Sequence, residues 1–141
     1  MKVKIINKSD NPLPCYAKPG DAGMDIRASE DVWLKPFNRA LIPTGIYLEI
    51  PDGYECQIRT RSGMAIKEGI SVLNSPGTID CGYRGEVKVI LKNHCFHSYD
   101  IKKGDRIAQM VFAPVTVAEF EEVEELNDSE RGAGGFGSTG K

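Results

Sequence analysis

Three stretches of the 141-residue chain hold side chains that could do chemistry together. Arg59-Thr60-Arg61 runs into Ser62-Gly63-Met64-Ala65-Ile66-Lys67-Glu68-Gly69, which opens on a good N-cap residue and closes on a good C′ glycine. A short helix is predicted there. Two cations, a hydroxyl and unpaired backbone N–H groups would then converge at its N-terminus, as an anion site requires. A surface helix with solvated arginines accounts for the same residues. The second stretch, Asp80-Cys81-Gly82, offers a carboxylate at a place where Asp-x-Gly readily makes a turn. The third is Arg131 to Lys141, nearly half glycine. From Gly135 it matches the G-x-x-x-x-G-K core of a phosphate loop, but the serine or threonine and helix that should follow do not. A P-loop fold is therefore not expected. Glycine-rich backbone can still point successive N–H groups at a polyphosphate, with Arg131, Ser138 and Thr139 adding donors and Phe136 able to stack on a flat base.

His94, Cys95 and His97 lie within four residues, without a second ligand pair at zinc-finger spacing, so packing or surface roles are expected for them. Cys15, Cys56, Cys81 and Cys95 are widely spaced and form no C-x-x-C pair, so disulfides are not expected.

The elements that must position these groups are short. Glycine (15) and proline (8) cut the chain into pieces too brief for long helices. Residues 3–6, 24–27, 40–42, 46–50, 54–58, 87–91 and 107–112 are rich in β-branched or aromatic residues, several alternating with period two. This is the pattern of an all-β protein, a jelly roll or β-sandwich with one short helix. Residues 1–126 read as a single β domain. The acidic stretch Glu119–Glu130, with seven carboxylates, leads into residues 127–141, read as a mobile Gly-rich arm. Apolar residues at 40%, charged residues at 27% and a net charge of −2 are ordinary globular composition and argue against a nucleic-acid-binding or disordered chain. No apolar run approaches bilayer-spanning length, and the first residues lack the unbroken apolar stretch of a signal peptide. A cytoplasmic protein is expected.

Five ordered motifs resemble those of the trimeric dUTP pyrophosphatase (dUTPase) family. They are Asp21–Ile26, Arg61–Ala65, Asn74–Glu86, Gly104–Gln109 and Arg131–Gly140, so the likeness spans most of the chain. It implies a β-clip jelly roll that hydrolyses dUTP to dUMP and pyrophosphate by water attack at the α-phosphorus. A homotrimer with active sites between subunits is implied as well. On this resemblance Asp80 is the general base. Arg61, Ser62 and Gly63 bind the phosphates, Gln109 adds a contact, and Arg131, Ser138 and Thr139 hold the β- and γ-phosphates. Asn74, with the Gly77-Thr78-Ile79 backbone, reads uracil; Tyr83 packs under the deoxyribose; Phe136, with Gly137 beside it, covers the base. Mg2+ arrives with the substrate without a first-shell protein ligand, and Asp25 acts through water. The chain departs from the common pattern at Gly82, where many members have a second acid, at Ala133 and at Met64. A dCTP deaminase of the same broad fold and a non-catalytic dUTP-binding regulator are the competing readings.

Overall fold

The structure is a computed structural model and describes residues 1–135. Among the described residues there are eleven strands, β1 Lys4–Asn7, β2 Met24–Arg27, β3 Val32–Leu34, β4 Arg39–Ile42, β5 Ile46–Glu49, β6 Tyr54–Arg59, β7 Ile70–Val72, β8 Gly77–Ile79, β9 Val89–Asn93, β10 Tyr99–Ile101 and β11 Arg106–Pro114. Every strand pair is antiparallel. The strands form a four-stranded sheet in the order β2-β11-β6-β8, a three-stranded sheet β4-β9-β7, and two ribbons, β1-β5 and β3-β10. The architecture is the expected all-β jelly roll.

Each sheet hides one face. Alternation places Cys56 and Ile58 of β6 inside, with Val89 and Leu91 of β9 and Ile70 and Val72 of β7. Ile26, Ile42, Leu48 and Met110 join them in one continuous core. Each fully buried aliphatic side chain contributes about 2 kcal/mol. All seven predicted strands are present with ends shifted by no more than two residues. The unpredicted strands β3, β7, β8 and β10 have three residues each, too few for period-two alternation to show.

The predicted helix is a single π-type turn over Met64–Glu68. Its C-terminal glycine is as expected: Gly69 has φ 61°, and a Cβ there would collide with the Cys95 sulfur. Its start differs. Gly63 takes the N-cap position with helical dihedrals, no side chain caps it, and Ser62 is exposed. No helix among the described residues is long and apolar enough to cross a membrane.

Candidate active site

The predicted site residues form two groups on the four-stranded sheet. The first lies on β8 and the hairpin beyond it. Among the described residues β8 is an edge strand, paired with β6 alone through Ile79–Cys56, Thr78–Gln57 and Gly77–Ile58. The chain then reverses at Asp80, whose carbonyl accepts the Tyr83 N–H at 3.1 Å. Arg84 tightens this turn by donating Nη1 to the carbonyls of Cys81 and Tyr83 at 2.6 and 3.1 Å. The turn is built from backbone, so the Asp80 carboxylate is not spent on it. Asp80 is exposed. It borders a cavity of about 280 Å³ lined also by Asn74, Thr78, Ile79 and Tyr83.

Tyr83 folds back over Gly85 to donate its hydroxyl to the Glu86 carbonyl at 3.0 Å. A Cβ at Gly85 would lie 2.9 Å from the ring's Cε2, so only glycine admits this ring position. Glu86 anchors the far side of the hairpin. One carboxylate oxygen accepts the N–H groups of Thr44 and Gly45 at 3.1 and 2.9 Å, and the other lies 3.4 Å from Lys88 Nζ.

The second group lies where β6 ends. Arg61 Nε donates to Asp25 Oδ1 at 2.8 Å, and Arg106 Nη1 reaches Asp25 Oδ2 at 3.3 Å. Arg61 Nη1 also donates to the Arg106 carbonyl at 3.3 Å. Gln109 stands directly opposite Asp25 across the β2–β11 ladder. A cavity of about 300 Å³ opens here, lined by Asp25, Gln109, Asp21, Gly23 and Cys15. The expected convergence of Arg59, Thr60 and Arg61 is corrected in two places. Arg59 turns along its own strand and donates twice to Gln57 Oε1. Thr60 accepts the Val72 N–H at 2.9 Å and so ties β7 to the end of β6. Arg61 alone of the three joins Asp25.

The two groups do not meet within one chain. Asp25 lies on β2 and Asp80 beyond β8, at opposite edges of the sheet. Three strand spacings put them about 14 Å apart across the sheet, and the register between Arg59 and Glu55 of β6 adds about 13 Å along it. A larger hollow of about 470 Å³ runs along β1 and β5, between Ile5, Ile6, Tyr47 and Leu48, and touches none of the predicted site residues. Arg131 closes a small exposed turn by accepting the Gly134 N–H at 3.1 Å. Phe136, Gly137, Ser138 and Thr139 lie outside the described residues.

Arg106, Glu86 and Arg84 belong to the local machinery although sequence reasoning gives them no role. Arg106 and Glu86 sit inside recognised motifs, and Ile107-Ala108 beside Arg106 breaks the period-two pattern. Arg84 sits in the same motif as Glu86, although nothing in its residue type announces that its contacts are to carbonyls.

An antiparallel jelly roll that carries its polar groups as two separated half-sites defines the class of this protein. The family model for dUTPase matches residues 9–140, and the chain belongs to the dUTPase family. It is 57% identical over 141 residues to the deoxyuridine 5′-triphosphate nucleotidohydrolase of Nautilia profundicola, covering 100% of this chain and 99% of that protein. It is 56% identical over 142 residues to the protein of the same name from Finegoldia magna, covering 99% of each. Among solved structures, a mutant of the Staphylococcus bacteriophage 80alpha dUTPase with dUpNHpp superposes with a TM-score of 0.92 at 31% identity, covering 99% of both chains. A mutant dUTPase from phage phi11 of S. aureus, whose structure reveals coordination of a structural Mg(II) ion, superposes at 0.82 with 28% identity, covering 89% of this chain and 98% of that one.

Proposed function

We propose that this chain hydrolyses dUTP to dUMP and pyrophosphate in a homotrimer whose active sites lie between subunits, with Asp80 as general base. The carrying observation is the first half-site: an unspent, exposed carboxylate on the rim of a cavity shared with Asn74, Thr78, Ile79 and Tyr83. Family membership makes the substrate deoxyuridine triphosphate.

The edge position of β8 explains how uracil is chosen. Its outward N–H and C=O groups have no neighbouring strand, and uracil presents two carbonyl acceptors around an N3–H donor that alternating backbone groups match. The Asn74 amide adds a side-chain contact. Tyr83, held over Gly85, packs under the deoxyribose and leaves no room for a 2′-hydroxyl, while the hairpin rejects the 5-methyl group of thymine.

Asp80 accepts a proton from water as its oxygen attacks the α-phosphorus. The bond from that phosphorus to the α–β bridging oxygen breaks, and pyrophosphate leaves with the electron pair. Arg61, Ser62 and Gly63 bind the phosphates and stabilise the charge developing on the bridging oxygen, and Gln109 contributes one contact. Because Asp80 and Arg61 of one chain lie far apart, a neighbouring subunit brings the phosphate half-site to the hairpin. Arg131, Ser138 and Thr139 then hold the β- and γ-phosphates, and Phe136, with Gly137, closes over uracil.

Mg2+ would accompany the substrate and supply charge neutralisation there. Among the described residues no three His, Cys, Asp or Glu side chains gather as a metal cage, and Asp25 is engaged by two arginines. This donor set fits an ion held by phosphate oxygens and water, offsetting part of the triphosphate's roughly four negative charges. In the cytoplasm the reaction would limit uracil incorporation into DNA and supply dUMP for dTMP synthesis.

Product analysis with dUTP, dTTP, dCTP and UTP at equal concentration with magnesium tests this reading. Pyrophosphate release from dUTP alone is expected. Ammonia from dCTP would favour a deaminase, and binding of dUTP without turnover a regulator; either result, or equal cleavage of dTTP and UTP, overturns the proposal.

A further inference from the structure

We propose that the exposed Phe37–Phe96 pair, with Lys35, Arg39 and Lys92 beside it, is a docking surface for an acidic peptide segment of a partner protein that carries a large apolar side chain. Phe37 sits in the turn between β3 and β4, and Phe96 in the loop between β9 and β10. Their rings meet edge to face with centroids 4.8 Å apart, yet Phe96 is 90% exposed and Phe37 48%. Neither ring joins the core. None of these five residues lines either half-site cavity, so the inference stands apart from the reading of Asp80 and Arg61.

Two features of the patch cost stability without contributing to the core. The Asn38 N–H closes a turn onto the Lys35 carbonyl at 3.2 Å, with Pro36 in the second position and Phe37, at φ 53°, in the third. This is the pattern of a type II turn, whose third residue is ordinarily glycine because a side chain is strained at positive φ. Among the described residues Phe37 is the one non-glycine residue with positive φ. Arg39 and Lys92 stand directly opposite each other across the β4–β9 ladder, where like charges repel. Neither of them, nor Lys35, has a carboxylate in ion-pair reach among the described residues. Strain and unneutralised charge kept together on an exposed patch point to a ligand rather than to packing.

The patch is also held in one arrangement. Asn93, fully buried, donates its amide to the carbonyls of Lys35 at 3.3 Å and His97 at 2.8 Å, accepts the Cys95 N–H at 2.8 Å, and gives its own N–H to the Asn38 carbonyl at 2.9 Å. One residue thus fixes both loops, and Lys92 Nζ adds a contact to the Phe37 carbonyl. Rings presented this way lose little entropy when a partner covers them.

Charge selects the occupant. Residues 35–39 and 92–98 hold three cations, two histidines and no Asp or Glu, in a chain whose net charge is −2. The neighbouring π-type turn, joined through the His94 N–H and the Gly69 carbonyl, adds Lys67 and Glu68, which cancel. The same patch on a second copy would bring like charge and be repelled. A carboxylate-rich segment would neutralise the cations, and its apolar side chain would fill the angle between the two rings. A nucleic-acid base fits less well, because the edge-to-face contact takes up a ring face that stacking needs.

Fluorescence anisotropy on the full chain tests this with a fluorescein-labelled peptide of alternating glutamate and leucine. Saturable binding is expected, weakened by added salt and weakened about tenfold by Phe96→Ser or by Arg39→Gln. Phe37→Gly should lose the peptide as well while melting at or above the wild-type temperature, because glycine relieves the turn. Absence of binding, equal binding by wild type and Phe96→Ser, or a lower melting temperature for Phe37→Gly would each overturn the inference. So would tighter binding of a fluorescein-labelled oligothymidylate that Phe96→Ser abolishes, or a change in mass by light scattering on Phe96→Ser, which would put nucleic acid or another copy on the patch.

Discussion

The two half-sites solve the problem of holding polar groups still in opposite ways. At the hairpin, backbone does the holding: the Asp80–Tyr83 turn, the Arg84 contacts to carbonyls and the Glu86 contacts to Thr44 and Gly45 immobilise the chain. The Asp80 carboxylate, the proposed general base, is left without a hydrogen-bond partner among the described residues. At the β2–β11 end, side chains hold one another, with Asp25 between Arg61 and Arg106. A general base gains from an unspent lone pair, whereas an arginine that must meet a phosphate in one orientation gains from being clamped. Each arrangement suits the task proposed for it.

The sharpest break in this comparison is Asp80→Asn. The amide keeps the shape but cannot take the proton, so turnover should fall about a thousandfold while dUpNHpp still binds within a fewfold of wild type. Pyrophosphate release and calorimetry measure the two effects, and near-normal turnover would remove Asp80 from its role. A second experiment asks whether the halves come from different chains. Asp80→Asn and Arg61→Ala proteins, each nearly inactive, should recover activity when unfolded together and refolded as a mixture. Random assortment gives about a quarter of the sites both intact groups. No recovery would mean that one chain supplies both.

The anchoring of the hairpin is open to a milder test. Glu86→Ala removes the acceptor for two N–H groups, one of them on the buried Thr44, at a cost of about 2 kcal/mol, read as a melting temperature lower by about 5 °C. Glu86→Gln, which keeps an oxygen in place, should lose less. The smallest effect concerns the strand that links the halves. Burial pushes the Cys56 thiol in β6 up to about 12, above its ordinary value. The unfolded chain therefore releases this proton first as pH rises. Stability from the neutral thiol is complete well below pH 9, the ordinary thiol value, and declines from there towards pH 12. Urea unfolding at pH 8 and pH 10 should show a loss of about 1 kcal/mol that Cys56→Ala does not share.

Much of this molecule is legible in its amino-acid sequence. Strands such as Tyr54–Arg59 and Arg106–Pro114 announce themselves through β-branched alternation, because burial of one sheet face imposes period two. The five motifs name the side chains of both half-sites in order. The strands that composition does not reveal, among them Gly77–Ile79 at the proposed uracil-reading edge, are held by register with their neighbours, β6 in the case of Gly77–Ile79, rather than by their own residue types. Ser62 does not act as a helix cap for a related reason. The turn after it is short and π-type, with Gly63 at the N-cap, and it is shaped by the chain on either side rather than by a capping side chain.

Residue types and local spacing determined which groups this chain owns: a carboxylate in a turn, arginines before a helical turn, a glycine-rich end. They could not say which of those groups would face one another. That Asp25 holds Arg61, that Arg59 and Thr60 turn elsewhere, and that Asp80 lies at the far edge of the same sheet all depend on pairing between residues tens of positions apart. One extra residue at the β11 bulge is enough to move Arg106 from one face to the other. Strand register is set by the whole sheet packing on its core, and no local run of sequence contains that information.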